Sequence, residues 1–340
     1  MSGAWLWAIV LPLAVSFGVI AIVRRSRWAM GLADEPNERS LHSAPTPRVG
    51  GLGVLAGAIP VAAVFADPAI ATILGCATLL AVVSLRDDWK SLPIKVRLPA
   101  HAAAATVAVL VIASPGSGHP GVGAVEATLA VLALVWMTNL FNFMDGSDGL
   151  AGGMAAIGFA TFAIAACTAR EMPLALASAA LAAANLGFLA HNFPPARVFL
   201  GDAGSVPLGF LAGALGLLGM LAGAWPPWFP VLVFSPFIAD ASATLAKRIA
   251  RGERFWRAHR SHYYQRMVLS GWTRRRLALA AYALMLAAAA SALLARGSGE
   301  QIQFGIILVW AVAYALAFIA IDRRARTTRS STPLAKDQQQ

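Results

Sequence analysis

Eleven apolar windows dominate this chain, near residues 4–23, 49–66, 69–85, 98–113, 124–140, 149–168, 172–190, 205–222, 226–246, 277–295 and 302–321. Most are about 17 to 22 residues long, the length a helix needs to cross ~30 Å of hydrocarbon. In lipid every backbone N–H and C=O must be satisfied inside the protein, and a helix does this within one segment. The expected fold class is therefore all-α: a polytopic membrane protein with about eleven transmembrane helices. Two pairs of windows, 49–66/69–85 and 149–168/172–190, are joined only by Asp67-Pro68 and by Ala169 to Glu171, so they read as helical hairpins. Charged residues make up 13% of the chain, against about 25% in a soluble domain, which agrees with that class.

Eleven alternating spans place 25 of the 27 Lys and Arg on one side of the membrane, leaving only Arg170 and Arg296 opposite. Positively charged connections face the cytoplasm, so the N-terminus is expected outside and the C-terminus inside. The formal charge of +11 is thereby explained by topology, and nucleic acid is not an expected partner. The first run has no basic segment before it and ends in Arg24, Arg25 and Arg27, which reads as a retained span rather than a secretion leader. Cys76 and Cys167 fall inside apolar runs and indicate no disulfide framework. Residues 1–322 read as one integral membrane unit and 323–340 as a polar, disordered cytoplasmic tail.

The same topology gathers the unusual polar motifs on the cytoplasmic face. They are DEPNERSLHSAPTPRVGG (34–51), RDDWKSLPIKVR (86–97), NLFNFMDGSDGL (139–150), HNFPPARVFLGDAGS (191–205) and RAHRSHYYQR (257–266). Five acids among them, Asp87, Asp88, Asp145, Asp148 and Asp202, would repel one another at a membrane boundary unless a cation were shared between them. Oxygen ligands together with phosphate suit Mg²⁺. Each acid taken alone reads equally well as a helix cap. In GDAGS the glycines allow close backbone approach, and the helix start offers N–H groups to an anion or to a capping Ser205. His259 and His262 stand among arginines that favour neutral imidazoles able to donate to phosphate oxygens, while Phe255, Trp256, Tyr263 and Tyr264 suit an interfacial segment. Zinc is not expected, since no cysteine or suitable third histidine lies near. Asp240 lies inside the ninth window, either as a functional ionisable group or satisfied by Ser235, Ser242 or a neighbouring helix.

In combination, PTPRVGG, DDWKSLPIKVR, NLFNFMDGSDGLAGG, FLAHNFPPARVFLGDAGSVPLGFLAG and HRSHYYQR resemble the polyprenyl-phosphate N-acetylhexosamine-1-phosphate transferases. That family includes the enzymes that start O-antigen assembly and the phospho-N-acetylmuramoyl-pentapeptide translocase. The spaced pair His259 and His262, in place of three consecutive histidines, looks more like the O-antigen-initiating branch. The resemblance implies a bacterial inner-membrane enzyme in which a polyprenyl phosphate attacks the β-phosphorus of a UDP-N-acetyl sugar, releasing UMP. It implies Mg²⁺, with Mn²⁺ as a substitute, and leaves homodimerisation open. By similarity, Asp202 is the leading metal ligand with Asp148 beside it. Asp87 and Asp88 flank the reacting phosphates, and Asp145 and Asp148 belong to the nucleotide and metal region. His259 and His262 hold the diphosphate or sugar. Asn139, Asn142, Asn192 and Phe199 line the nucleotide site, Phe199 as a platform for uracil, and Arg48, Lys90, Lys95, Arg97 and Arg260 supply positive charge. A transporter is the main rival, but no internal repeat is evident and the polar motifs sit at span ends rather than at the bilayer midplane.

Overall fold

The computed structural model describes residues 2–35, 45–114, 121–253 and 259–330. Phe255, Trp256 and the last ten residues of the expected tail lie outside these. Helices α1 (Ser2–Val23) and α2 (Arg27–Met30) lead into the antiparallel pair β1 (Ala33–Asp34) and β2 (Thr46–Pro47), with Ala33 opposite Pro47. Then follow α3 (Gly50–Val64), α4 (Pro68–Trp89), α5 (Ile94–Ile112), α6 (Ala124–Phe143), α7 (Leu150–Thr168), α8 (Met172–Asn192) and α9 (Asp202–Leu221). The chain closes with α10 (Trp228–Val233), α11 (Ser235–Ala250), α12 (Tyr263–Leu269), α13 (Arg274–Ala295) and α14 (Glu300–Ser330).

Nine of these helices, among the described residues, are long and apolar enough to cross a membrane: α1, α4 to α9, α13 and α14. The chain is a polytopic helical membrane protein. Two of the eleven windows depart from a simple span. The second folds as α3, 15 residues and so about 22 Å long. The ninth is broken at Phe234 into α10 and α11. Pro236 causes the break: it lacks an N–H, and its ring clashes with the carbonyl a turn earlier, so it starts a helix rather than continuing one. At the other end, α14 runs to Ser330, past the expected start of the tail at Arg323.

Of the two expected hairpins, α7 and α8 pack together along their length, whereas α3 packs mainly on α1 and α8 and α4 mainly on α9, so their tight connection does not make a packed pair. The Asp67 side chain accepts the Ile70 N–H at 2.8 Å, with Pro68 at the first helical position, and so starts α4 only three residues beyond the end of α3. In the most apolar stretches of α7, α8 and α9, 78% of residues are buried, which makes these three the centre of the bundle, whereas in α14 the figure is 0%. Small residues allow the close crossings that membrane helices use in place of a hydrophobic driving force. At Gly51, where α3 crosses α9, an added Cβ would stand 2.4 Å from the Gly204 backbone. A cluster of Phe141, Phe159, Phe162, Phe229, Phe234 and Phe237 fills the seam between α6, α7 and the broken pair α10–α11.

Candidate active site

The site forms where α4 and α6 end and where α5 and α9 begin. The last turn of α4 carries Asp87 and Asp88. Asp88 accepts the Asp202 and Ala203 N–H groups at 3.2 and 3.0 Å. It is the cap that α9 does not find locally, since Gly201 precedes the helix at φ 74° without a capping side chain. The next two N–H groups, of Gly204 and Ser205, return to the Gly201 carbonyl at 3.0 and 2.9 Å. All four leading donors are thus taken within the protein, and the anion site expected at GDAGS is not formed by this helix start. Ser205 does not cap; its Oγ donates back to the Gly201 carbonyl at 3.1 Å.

Asp87 holds the connection to α5. Its Oδ1 accepts the Leu92 N–H at 2.5 Å, and its Oδ2 accepts Arg97 Nη1 at 2.7 Å. The same Arg97 nitrogen reaches 3.8 Å from Asp202, whose side chain is also hydrogen-bonded by Asn142 from the end of α6. Arg48, anchored by Asp34 across the β1–β2 pair, lies 3.9 Å from Asp88. The segment carrying Arg48 is pinned by backbone bonds, from Phe199 N–H to Pro47 and from Gly50 and Gly51 N–H to Phe199 and Leu200. The Phe199 ring is half-buried beside it.

Asp145 lies in the turn after α6. Burial pushes its carboxyl well above the ordinary range, and the nearby Asp202 and Asp88 carboxylates push it further. Asp88, Asp145 and Asp202 are therefore mutually repelling carboxylates at the heart of the site, with Arg48, Arg97 and Asn142 around them. Among the described residues no three His, Cys, Asp or Glu side chains converge to form a complete metal shell. Carboxylate oxygens such as those of Asp145 and Asp202 are the ligand type that Mg²⁺ takes, one or two at a time beside its waters.

Asp148 is placed elsewhere. It is buried and accepts the Ala196 N–H at 3.0 Å and Arg274 at 3.2 Å, tying the turn to the 194–201 segment and to α13. Asn192 is likewise occupied, accepting the Gly149 N–H and donating to the Val198 carbonyl, both at 2.8 Å. Asn139 points inward, donating to the Val135 carbonyl at 2.7 Å. Lys90, Lys95 and Arg260 are exposed.

The histidine segment docks on the Asp145 turn. Tyr264 donates to the Phe143 carbonyl at 3.2 Å and lies against Gly146, where an added Cβ would stand 2.1 Å from its hydroxyl. His262 is buried, with its ring 6.3 Å from that of Phe143 and 5.0 Å from that of His259. Burial, then His262 and Arg248, push His259 down to about 4, so it is neutral at physiological pH. Asp240 resolves its two readings here. Its Oδ1 accepts His262 Nδ1–H at 3.2 Å and the Tyr263 N–H at 2.9 Å, and its Oδ2 accepts the Tyr264 N–H at 2.9 Å. A carboxylate accepting from Nδ1–H fixes the tautomer and leaves Nε2 as the acceptor. The intramembrane position of Asp240 marked it as unusual; the Thr244 hydroxyl one turn on, which donates to its Oδ1 at 3.2 Å, is a local partner, whereas those at 262–264, more than 20 residues away in sequence, were not readable. Arg274 carried no such mark, being one of three consecutive arginines.

Away from the polar end, α5, α6, α9, α10 and α11 line a half-open apolar cavity of about 370 Å³, with residues such as Val109, Met137, Gly213, Leu217, Phe234 and Ile238 on its walls. Its inner wall shares α6 and α9 with the site.

The glycosyl transferase family 4 model matches residues 70–220, which include Asp87, Asp88, Asp145 and Asp202. The chain is 28% identical over 319 residues to a Bacillus subtilis (strain 168) protein named "Probable undecaprenyl-phosphate N-acetylglucosaminyl 1-phosphate transferase", covering 89% of this chain and 88% of that one. It is 30% identical over 323 residues to the undecaprenyl-phosphate alpha-N-acetylglucosaminyl 1-phosphate transferase of Yersinia pestis, covering 89% and 87%. With the phospho-N-acetylmuramoyl-pentapeptide-transferase of Picosynechococcus sp. (strain ATCC 27264 / PCC 7002 / PR-6) it shares 30% over 316 residues, covering 83% and 84%. A bundle of apolar helices with its acids and histidines at one end, matched over most of its length by such relatives, belongs to glycosyl transferase family 4, the multi-pass membrane transferases of sugar phosphates onto lipid.

Proposed function

We propose that this protein transfers an N-acetylhexosamine 1-phosphate from a UDP-sugar to a polyprenyl phosphate at the cytoplasmic membrane face, releasing UMP and starting a lipid-linked envelope glycan such as O-antigen. UDP-N-acetylglucosamine is the first donor to try, because two of the relatives are named for that sugar. The observation that carries the reading is the Asp145–Asp202 pair at the end of the spans, ringed by Arg48 and Arg97 and adjoined by the Asp240-held His262. Two anionic substrates can meet there only if positive charge lies between them. The N-terminus is taken as outside and the C-terminus as cytoplasmic, on the distribution of Lys and Arg.

Asp202, with Asp145 beside it, would hold Mg²⁺; Asp148 is set aside because Arg274 and Ala196 occupy it. When bound, the cation neutralises phosphate oxygens and the charge that develops on them. The chain's own residues do the rest. Arg97 and Arg48 hold the reacting phosphates in register. Asn142 keeps Asp202 oriented. Neutral His259 and Asp240-oriented His262 position the donor diphosphate or sugar, and half-buried Phe199 offers its face to uracil. The isoprenoid chain has an apolar berth in the cavity beneath. Transfer is direct: the lipid phosphate oxygen bonds to the donor β-phosphorus as the bond to the UMP oxygen breaks. A phosphate monoester with a second pKa near ~6 is already ionised, so no strong base is needed, and Asp87, committed to Leu92 and Arg97, serves as a brace.

The test is UMP release from purified protein given polyprenyl phosphate, Mg²⁺ and a panel of UDP-N-acetyl sugars. Release that needs both lipid and metal, and falls by roughly 10²-fold or more in Asp202→Asn, is the expected result. No release from any donor by a folded preparation sinks the reading.

A further inference from the structure

The C-terminal helix α14 carries Trp310, Tyr314, Phe318 and Asp322 at intervals of four residues, so they share one face. That face meets the broken pair α10–α11 and α12. Ser235 at the start of α11 hydrogen-bonds the Tyr314 hydroxyl at 2.7 Å. Phe318 stacks on Tyr263 with ring centroids 4.0 Å apart. Asp322 pairs with Lys247 of α11 and Arg266 of α12, both at 2.5 Å. Those two cations also lie 4.9 and 5.0 Å from the Tyr263 ring centre, and Lys247 bonds the Tyr263 hydroxyl. The Tyr263 ring is thus held by Phe318 and by both cations, and Asp322 holds the cations.

Tyr263 directly follows His262, and its N–H is one of the two backbone donors that fix Asp240 against the His262 imidazole. A shift of the Tyr263 ring moves that N–H, hence the Asp240 carboxylate, hence the histidine. We infer that Asp322 is a positioning residue for His262, acting through Lys247, Arg266 and Tyr263, so that the outermost helix sets the geometry of the candidate active site. Partly exposed ion pairs like these add little to stability singly, so the value of the cluster lies in orientation. Without Asp322, Lys247 and Arg266 repel each other across the ring they share. This inference rests on the transferase reading for its catalytic consequence, but not for its structural one.

Two measurements on the full chain in detergent keep the two ideas separable: UMP release, and the ¹⁵N NMR signal of the His262 ring, assigned by its loss in His262→Gln. Asp322→Asn is expected to lower kcat by about 10- to 100-fold with KM little changed and to move the His262 signal. Asp322→Glu restores most of both, and Asp322→Asn costs nothing further in the His262→Gln background. Phe318→Leu, which keeps the ion pairs and loosens only the stack, is the second variant and shifts the same signal by less. Overturning results are an unmoved His262 signal in a folded Asp322→Asn protein, or losses that add in full to those of His262→Gln. If wild-type protein releases no UMP, the transferase reading fails while the histidine signal still decides this inference.

Discussion

His259 and His262 lie three residues apart and are held by different means. His262 is locked by Asp240, whereas His259 is kept neutral by burial and by positive neighbours, with its Nδ1 2.8 Å from Ser261 Oγ. The folded-state value of about 4 for His259 lies below its ordinary value of about 6.5. Between those two pH values the unfolded chain binds more protons than the folded one, so stability rises with pH across that window. The contribution is fully present above pH ~6.5 and is lost as pH falls towards 4. Unfolding midpoints measured from pH 7 down to 4.5 should fall less steeply in His259→Gln than in wild type; parallel slopes would remove the assignment. The acids show what a sequence can and cannot say at this scale. Their gathering on one face was legible, because charge is costly at a membrane boundary and topology sorts it. Their division of labour was not. Asp88 caps a helix whose first residue lies 114 positions later, and Asp148 answers an arginine 126 positions away.

Among the elements, the helices were legible because a span of about 20 apolar residues has few alternatives in lipid. The break between α10 and α11 was not, since an apolar window averages over Pro236 without registering its missing N–H. The length of α3 escaped for a related reason: apolar residues 65 and 66 extend its window beyond the helical turns. Close crossings are likewise invisible in composition, yet they bring α3, with Arg48 at its entrance, against the start of α9. Gly51→Ala should therefore cost about 1–3 kcal/mol, because the added methyl meets the Gly204 backbone, which cannot rotate aside. Gly75→Ala, with nothing within 4 Å of the new Cβ, is the control and should leave stability unchanged. Thermal unfolding of the two variants in the same detergent gives the comparison, and equal midpoints would mean that α3 and α9 sit further apart than described.

For the molecule as a whole, the proposed orientation would put 25 of 27 Lys and Arg, and every polar motif argued for above, on the same side. If Arg170 and Arg296 lie on the opposite side, as that orientation requires, a cysteine introduced at Arg170 should react with an impermeant thiol reagent in intact cells. One introduced at exposed Lys95 should react only after the membrane is opened. The reverse pattern would put the nucleotide site on the wrong face for a cytoplasmic sugar donor. Arg296 itself braces the far side, donating to the Ala165 carbonyl at 2.6 Å and closing the end of α7, so its role there is structural.

The cap that Asp88 provides for α9 also bears on how the protein is made. The carboxylate leaves the ribosome more than a hundred residues before the amides that satisfy it. Until Asp202 and Ala203 arrive, the Asp88 carboxylate at the end of α4 has only Arg48, made earlier, and water to answer it, which favours holding that end at the aqueous boundary. Arrival of α9 releases that constraint by binding the charge. A chain in which that bond has formed has therefore already brought the end of α4 against the start of α9, two of the helices on which the site depends.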